Sequence, residues 1–361
     1  MIKYNKKPLE LWYAVSNGNY EVRLSITAQE QAVYTVYSQN RRFTAEDQQI
    51  HAGETQTLTF LVNVCDYFRR DRSYKVDGIE LQIVCDQAVT AAASVTPVDV
   101  PTLYILGDST VTDQPSEYPY DPEKTYCGWG QMIPMLFDNA VAVSNHSESG
   151  ATTAEAREIH FNGVRDKLRP GDYLMLEFGH NDQKQPELDA SGGYADNLRW
   201  FVEYAKSRGA QPILNAPINR IIYDEKGKVV NLLGDYRNAV WSVAKELNVP
   251  FIDLFTATTE FFEPLGLYTA KKYFRHDEES QDYTHTNDLG GAIVARLCAG
   301  LIQNARIDGL SQHVLPDRLA IDKIEVSPDA PRESNIGEFK RLKSIGLGTV
   351  PADLDDDISG I

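Results

Sequence analysis

The sequence predicts an α/β protein, a three-layer α/β/α doubly wound parallel sheet preceded by a small all-β sandwich. Two patterns carry that prediction. From about Asn17 to Val98 hydrophobicity alternates with a period of two, as in half-buried strands; after Pro101 short apolar runs alternate with amphipathic segments of helix length. Between them, Thr96-Pro97-Val98-Asp99-Val100-Pro101 reads as a linker because its two prolines suit neither pattern. The expected units are therefore residues 1–99, 100–311 and a C-terminal extension, 312–361.

In the first unit, Tyr20, Val22, Leu24 and Ile26 alternate with Glu21, Arg23 and Ser25. Later runs at Ala32–Tyr37, Thr55–Val64 and Gly78–Val84 are rich in β-branched and aromatic residues, and Asn17-Gly18-Asn19, Ala52-Gly53-Glu54 and Asp77-Gly78 supply turns. Strands of this length and spacing suit an antiparallel sandwich, serving as a structural cap or as a carbohydrate-binding module. In the second unit the strand-like runs are Thr102–Leu106, Ala140–Val143, Tyr173–Phe178, Pro212–Leu214 and Val249–Leu254. Helical segments lie near Gly130–Phe137, Thr153–His160, Tyr194–Ser207, Asp235–Leu247 and Leu289–Ala305. Parallel neighbours need crossovers, and those crossovers are right-handed, so this order predicts helices on both sheet faces. The last helix starts at Thr286-Asn287-Asp288, which offers cap residues before an apolar face of Leu289, Ile293, Val294, Leu297 and Leu301. Beyond about Gln312 the pattern fails, and Asp353-Leu354-Asp355-Asp356-Asp357 forms an acidic run near the end.

A formal net charge of -17 over 361 residues argues against nucleic acid or an anionic membrane as the main partner. Cys65, Cys85, Cys127 and Cys298 lack Cys-x-x-Cys spacing and read as reduced or buried thiols, with a Cys65–Cys85 bridge left open. No run reaches membrane-spanning length, and the stretch from Met1 to Lys7 lacks the apolar core of a signal peptide. A cytoplasmic location is expected, or a secreted one if a signal has been removed.

In open α/β sheets ligands sit beyond the carboxyl ends of the strands, which makes Ser109, just past Thr102–Leu106, a candidate nucleophile. Alone, Gly107-Asp108-Ser109 is ordinary turn chemistry. Three further loops give it partners: Asn145-His146-Ser147-Glu148-Ser149-Gly150, Gly179-His180-Asn181-Asp182 and Asp282-Tyr283-Thr284-His285. A serine hydroxyl needs a base to attack a carbonyl, and His285 can serve if Asp282, three residues earlier, holds its other ring nitrogen. The tetrahedral oxyanion needs fixed donors, for which the Ser109 and Gly150 N–H groups and the Asn181 amide are candidates.

In this order the four blocks resemble the signature blocks of the SGNH (GDSL-type) esterases. The longer strings Gly107–Gln114, Gly128-Trp129-Gly130-Gln131, Glu177–Asp182 and Asp282–Asn287 resemble the rhamnogalacturonan acetylesterase branch of the carbohydrate esterases. The likeness spans about Thr102 to Asn304, and the Asn17–Val22 and Ala52–Thr55 stretches resemble the β-rich domain of longer members. It implies an SGNH hydrolase, flavodoxin-like sheet and a serine esterase removing O-acetyl groups from plant cell-wall glycan fragments, without metal or cofactor. The expected partner is an acetylated oligosaccharide or polysaccharide. Family members often carry Gly-Arg-Ser after the second strand; here Gly150 is followed by Ala151-Thr152-Thr153, which bears on pectin-type specificity. An acetylxylan esterase or a lysophospholipase/thioesterase-like acyl hydrolase shares the fold, and a carbohydrate-binding protein on an inactive scaffold is the non-enzymatic alternative.

Two residues are candidates for substrate contact. Trp129 would stack on a sugar face, and Arg220 would pair with a uronate carboxylate. His180 is expected to orient its loop. The acidic surface favours short oligosaccharides over a long polyanion.

Overall fold

The computed structural model describes residues 1–327 and 329–337. Two antiparallel sheets form the N-terminal unit. One orders its strands Leu9–Ala14, Gly78–Cys85, Ala32–Ser38, Arg42–Ile50, and the other Thr55–Val64, Gly18–Ala28, Val89–Val98. The alternation read from the sequence sets their facing sides: Val22, Leu24 and Ile26 are buried in one core with Tyr34, Val36, Ile79, Leu81 and Ile83 from the other sheet. Removing such side chains from water stabilises a sandwich by roughly 1.5–3 kcal/mol each.

The expected linker is partly strand. Val98 pairs with Asn19 and Pro97 with Tyr20, so the edge strand Val89–Val98 runs through the first proline. An edge strand tolerates a residue that donates no hydrogen bond, and this one has a neighbour on one side alone.

The second unit holds a five-stranded parallel sheet, in the order Ala142–Asn145, Thr102–Gly107, Tyr173–Glu177, Gln211–Asn215, Phe251–Ile252. Successive residues of Thr102–Gly107 face opposite cores. Leu103 and Ile105 pack under the last helix, Asp288–Ala305, while Tyr104 and Leu106 pack under Thr153–Glu158, Gly193–Ser207 and Gly234–Leu247. That alternation buries the sheet on both faces and produces the three expected layers. Val249–Leu254 contributes less strand than the apolar run suggests. Only Phe251–Ile252 pair, because the Asp253 side chain accepts from the Thr256 N–H and starts the helix Leu254–Phe262.

Past Gln312 the chain lies on the body: Leu315 N–H donates to Leu136 O, and Asn335 Nδ2 to Ile221 O at 3.1 Å. The Asp353–Asp357 run lies outside the described residues. All four cysteines are buried free thiols. Among the described residues no helix is long and apolar enough to cross a membrane.

Candidate active site

Strand order decides which loops meet. The chain leaves the strand Thr102–Gly107 for one neighbour, Ala142–Asn145, and then returns to the other, Tyr173–Glu177. The switch point of this topology therefore lies beside the loop carrying Ser109, flanked by the loops carrying Gly150 and Asn181. Glu148 N–H donates to Gly107 O at 3.0 Å, and Thr112 Oγ1 to Ser147 O at 2.6 Å, stitching the first two loops together.

His285 arrives from a different direction. It stands with Asp282 on a short strand, Gln281–Thr286, paired antiparallel with Phe274–His276, instead of on the open loop the sequence suggests. Asn287 then caps the last helix by accepting from Gly290 N–H at 3.0 Å. On this strand His285 Nε2 lies 2.8 Å from Ser109 Oγ, and His285 Nδ1 lies 2.8 Å from Asp282 Oδ2. Asp282 Oδ1 accepts the backbone N–H groups of Thr284 and His285 at 2.7 and 2.9 Å. Burial pushes the Asp282 carboxyl up, but the bond and charge of His285 with those backbone donors outweigh it and hold the pKa below its ordinary value. The arrangement can move a proton from the serine hydroxyl to a ring whose resulting charge faces a carboxylate.

The other loops are joined side to side. Asn181 Nδ2 donates to Ala151 O, next to Gly150, at 3.1 Å, and its Oδ1 accepts from Lys184 Nζ. Asp182 accepts from both Thr153 N–H and Thr153 Oγ1, at 2.8 and 2.6 Å. Burial lifts its carboxyl to about 7 despite those bonds. Gly150 has φ +79, which a side chain adopts only under strain, and a Cβ there would lie 3.3 Å from an Arg70 guanidinium nitrogen. Arg70 itself donates to Ser149 O and pairs with Glu155, so the N-terminal unit braces the Gly150 loop.

Two further arginines reach the site from the N-terminal unit, where Arg41 takes the left-handed conformation at φ 58. Its guanidinium pairs with Asp288 at 2.8 Å, at the start of the helix that follows His285. Arg42 pairs with Asp113, four residues beyond Ser109, and donates to Asn145 O at 2.9 Å. Sequence reasoning missed these because their partners lie far along the chain.

A family model described as GDSL-like lipase/acylhydrolase matches residues 105–293, just over half of the chain. The chain belongs to that family. It is a carboxylic ester hydrolase of the serine type. A rhamnogalacturonan acetylesterase of Bacillus subtilis (strain 168), RhgT, is 33% identical over 207 residues, covering 55% of this chain and 87% of that protein. An uncharacterized esterase of the same bacterium, YxiM, is 24% identical over 302 residues, 81% of this chain and 74% of that one. The crystal structure of YxiM shares the fold, with a TM-score of 0.55 and 23% identity over 83% of this chain and 81% of that chain.

Within this GDSL-type framework neither expected substrate contact survives. Trp129 is fully buried, and its indole Nε1 donates to Glu177 Oε2 at 2.7 Å, leaving no face for a sugar. Its role is internal. Glu177, pushed well up by burial and then by Asp108, also accepts from Asn215 Nδ2 and from Thr110 Oγ1, the neighbour of Ser109. An acid ending the apolar strand Tyr173–Glu177 was the available signal for this brace.

Arg220 is also buried, at 4% exposure, and donates to Thr284 Oγ1 on the strand of His285. Burial pushes its guanidinium down to about 10, against the pull of Asp108 and Asp282. It braces the strand of His285 and presents almost no exposed surface to a uronate. His180 is likewise buried, its ring pKa driven well down by burial and then by Arg220, so it stands as a neutral packing group. An aromatic that does stand exposed beside the site is Tyr126, 38% exposed, with its ring edge-on to His285 at 5.8 Å. Among the described residues no group of three or more histidine, cysteine or acidic side chains is placed to hold a metal ion.

Proposed function

We propose that this protein is a carbohydrate O-acetylesterase acting on rhamnogalacturonan fragments, with Ser109 as nucleophile, His285 as general base and Asp282 as its orienting carboxylate. The observation carrying the reading is the unbroken chain from Ser109 Oγ through His285 to Asp282, both links at 2.8 Å. Ser109 Oγ attacks the acetyl carbonyl as His285 Nε2 takes its proton, and the C–O bond to the sugar then breaks as His285 returns that proton to the leaving alkoxide. Water, deprotonated by the same ring, releases acetate and regenerates the serine. Through both steps the Ser109 and Gly150 N–H groups and Asn181 Nδ2 stabilise the oxyanion; losing one such donor costs about a hundred- to a thousandfold in kcat.

The substrate assignment draws on the RhgT relative and on the sequence blocks. The formal charge of -17 opposes approach to a long polyanion and favours oligosaccharides as substrate. A reactive organophosphonate followed by peptide mass spectrometry tests the mechanism. One adduct on the Ser109 peptide, abolished in Asp282→Ala, is expected; full activity in protein labelled elsewhere would refute it.

A further inference from the structure

The cleft between the sandwich and the catalytic unit has a volume of about 970 Å³, at the upper end of the range of ligand sites. Trp12 lines it, and its environment is unusual for a tryptophan. The side chain is 56% exposed on the edge strand Leu9–Ala14, and its six-membered ring lies against Gly78, where a Cβ would come within 2.3 Å of the indole. Gly78 opens the neighbouring strand, Gly78–Cys85, and its missing side chain makes room for the ring against the backbone while more than half of the tryptophan stays exposed. Apolar packing does not account for this, since Leu11 and Tyr13, the neighbours on the strand, supply the inward contacts.

The cleft that Trp12 lines also holds groups suited to hydroxyls. Gln82 and Gln114 line the same cleft, with Tyr74 and Tyr118 adding further rings. A pyranose has an apolar face of C–H groups and a rim of hydroxyls, so it is complementary to an aromatic platform edged by amides. Two of the cleft's lining residues bond to the loop that carries Gly150. Gln114, five residues beyond Ser109, donates from Nε2 to Ser149 Oγ at 3.1 Å, and Arg69, also in the lining, pairs with Glu148. Ser149 is the immediate neighbour of Gly150.

We propose that this cleft is an oligosaccharide-binding subsite, with Trp12 as its stacking platform, holding the unreacted flank of the glycan whose acetyl group lies at Ser109. The inference rests on the acetylesterase reading for the identity of that glycan. It makes the N-terminal sandwich part of substrate recognition instead of a passive cap. The occupant is a run of sugar rings, because the lining joins an exposed indole and tyrosine rings to amide and charged side chains, which offer stacking and hydroxyl bonds together.

Trp12→Ala and Trp12→Phe, compared with the unaltered protein, test it on nitrophenyl acetate and on acetylated oligosaccharides of increasing length. The expected result is an unchanged rate on nitrophenyl acetate, and a KM on the longest oligosaccharide raised by about three- to tenfold in Trp12→Ala at constant kcat. Trp12→Phe should recover most of the loss. Equal KM for Trp12→Ala and the unaltered protein on every length would overturn the proposal, as would a change of oligomeric state in Trp12→Ala. Titration calorimetry with the deacetylated oligosaccharide separates this question from catalysis. Weaker binding by Trp12→Ala supports the subsite even if no acetate is released, and unaltered binding refutes it even if acetate is released.

Discussion

Replacing Arg42 should injure both the stability of the fold and the nucleophile loop, by an amount that its surroundings allow to be worked out. The Arg42 and Asp113 side chains are each 3% exposed, and Arg42 Nε donates to Asp113 Oδ2 at 2.8 Å. Burial opposes the guanidinium charge, but the facing carboxylate outweighs it and holds the pKa above its ordinary range. The remaining nitrogens donate to Val143 O, Asn145 O and the Tyr67 hydroxyl. Arg42→Met keeps an apolar stem but strands a buried carboxylate, a loss of about 3–5 kcal/mol when one partner of a buried pair is removed. Asn145 Nδ2, at 2.8 Å from Asp113 Oδ1, still serves the carboxylate and places the expected cost at the lower end of that range, about 3 kcal/mol. Adding Asp113→Asn removes the stranded charge, so the double variant should be more stable than the sum of the two single losses by about 1–3 kcal/mol. Urea unfolding followed by tryptophan fluorescence reads both quantities, and a parallel assay should show kcat falling with KM nearly constant. A loss below about 1 kcal/mol for Arg42→Met, or strict additivity in the double variant, would refute the reasoning.

Three further expectations follow from the site. Asp282→Asn should leave the fold intact and lower kcat roughly ten-thousandfold, since an amide no longer selects the ring tautomer that accepts the serine proton; nitrophenyl acetate kinetics measure this. Gly150→Ala forces a side chain into a conformation with φ +79 beside Arg70, and the strain of about 1–2 kcal/mol should displace its N–H; kcat should fall at least tenfold, and an unchanged kcat would remove Gly150 from the oxyanion site. The Asp182 carboxyl is lifted to about 7 from an ordinary value of 3.8, so between those pH values the folded state holds a proton that the unfolded state has lost. Its contribution to stability is therefore greatest in acid and fades as pH rises to about 7; Asp182→Asn should remove that fall in a series of melting temperatures, whereas parallel curves would contradict it.

Local pattern made most of the fold legible. Val22, Leu24 and Ile26 declare a buried face by alternation, and Asn287 declares a helix start, because both signals depend on neighbours a few residues away. Ser109, Asp282 and His285 could be grouped for another reason: the blocks that carry them occur in a recognisable order, and the structure sets the three side chains within hydrogen-bond reach of one another. Trp129 was misread because an indole at the start of a helix looks the same whether its N–H meets solvent or Glu177, on a strand 48 positions away. Arg220 was misread likewise, as a cation after a strand gives no sign that it will be buried against Thr284, on the strand of His285. The Arg41–Asp288 pair spans 247 positions, beyond any periodicity. The platform of Trp12 on Gly78 needs two strands in register before it exists.

Acetate release tests the central claim most directly. Acetylated rhamnogalacturonan oligosaccharides and acetylated xylo-oligosaccharides should be compared side by side, with Ser109→Ala as control. The account predicts release from the rhamnogalacturonan fragments in preference, and a loss on the order of a millionfold in kcat when the serine hydroxyl is removed. Preference for the xylan fragments would move the substrate while keeping the mechanism. Full activity in Ser109→Ala, or no acetate from either glycan, would contradict the account.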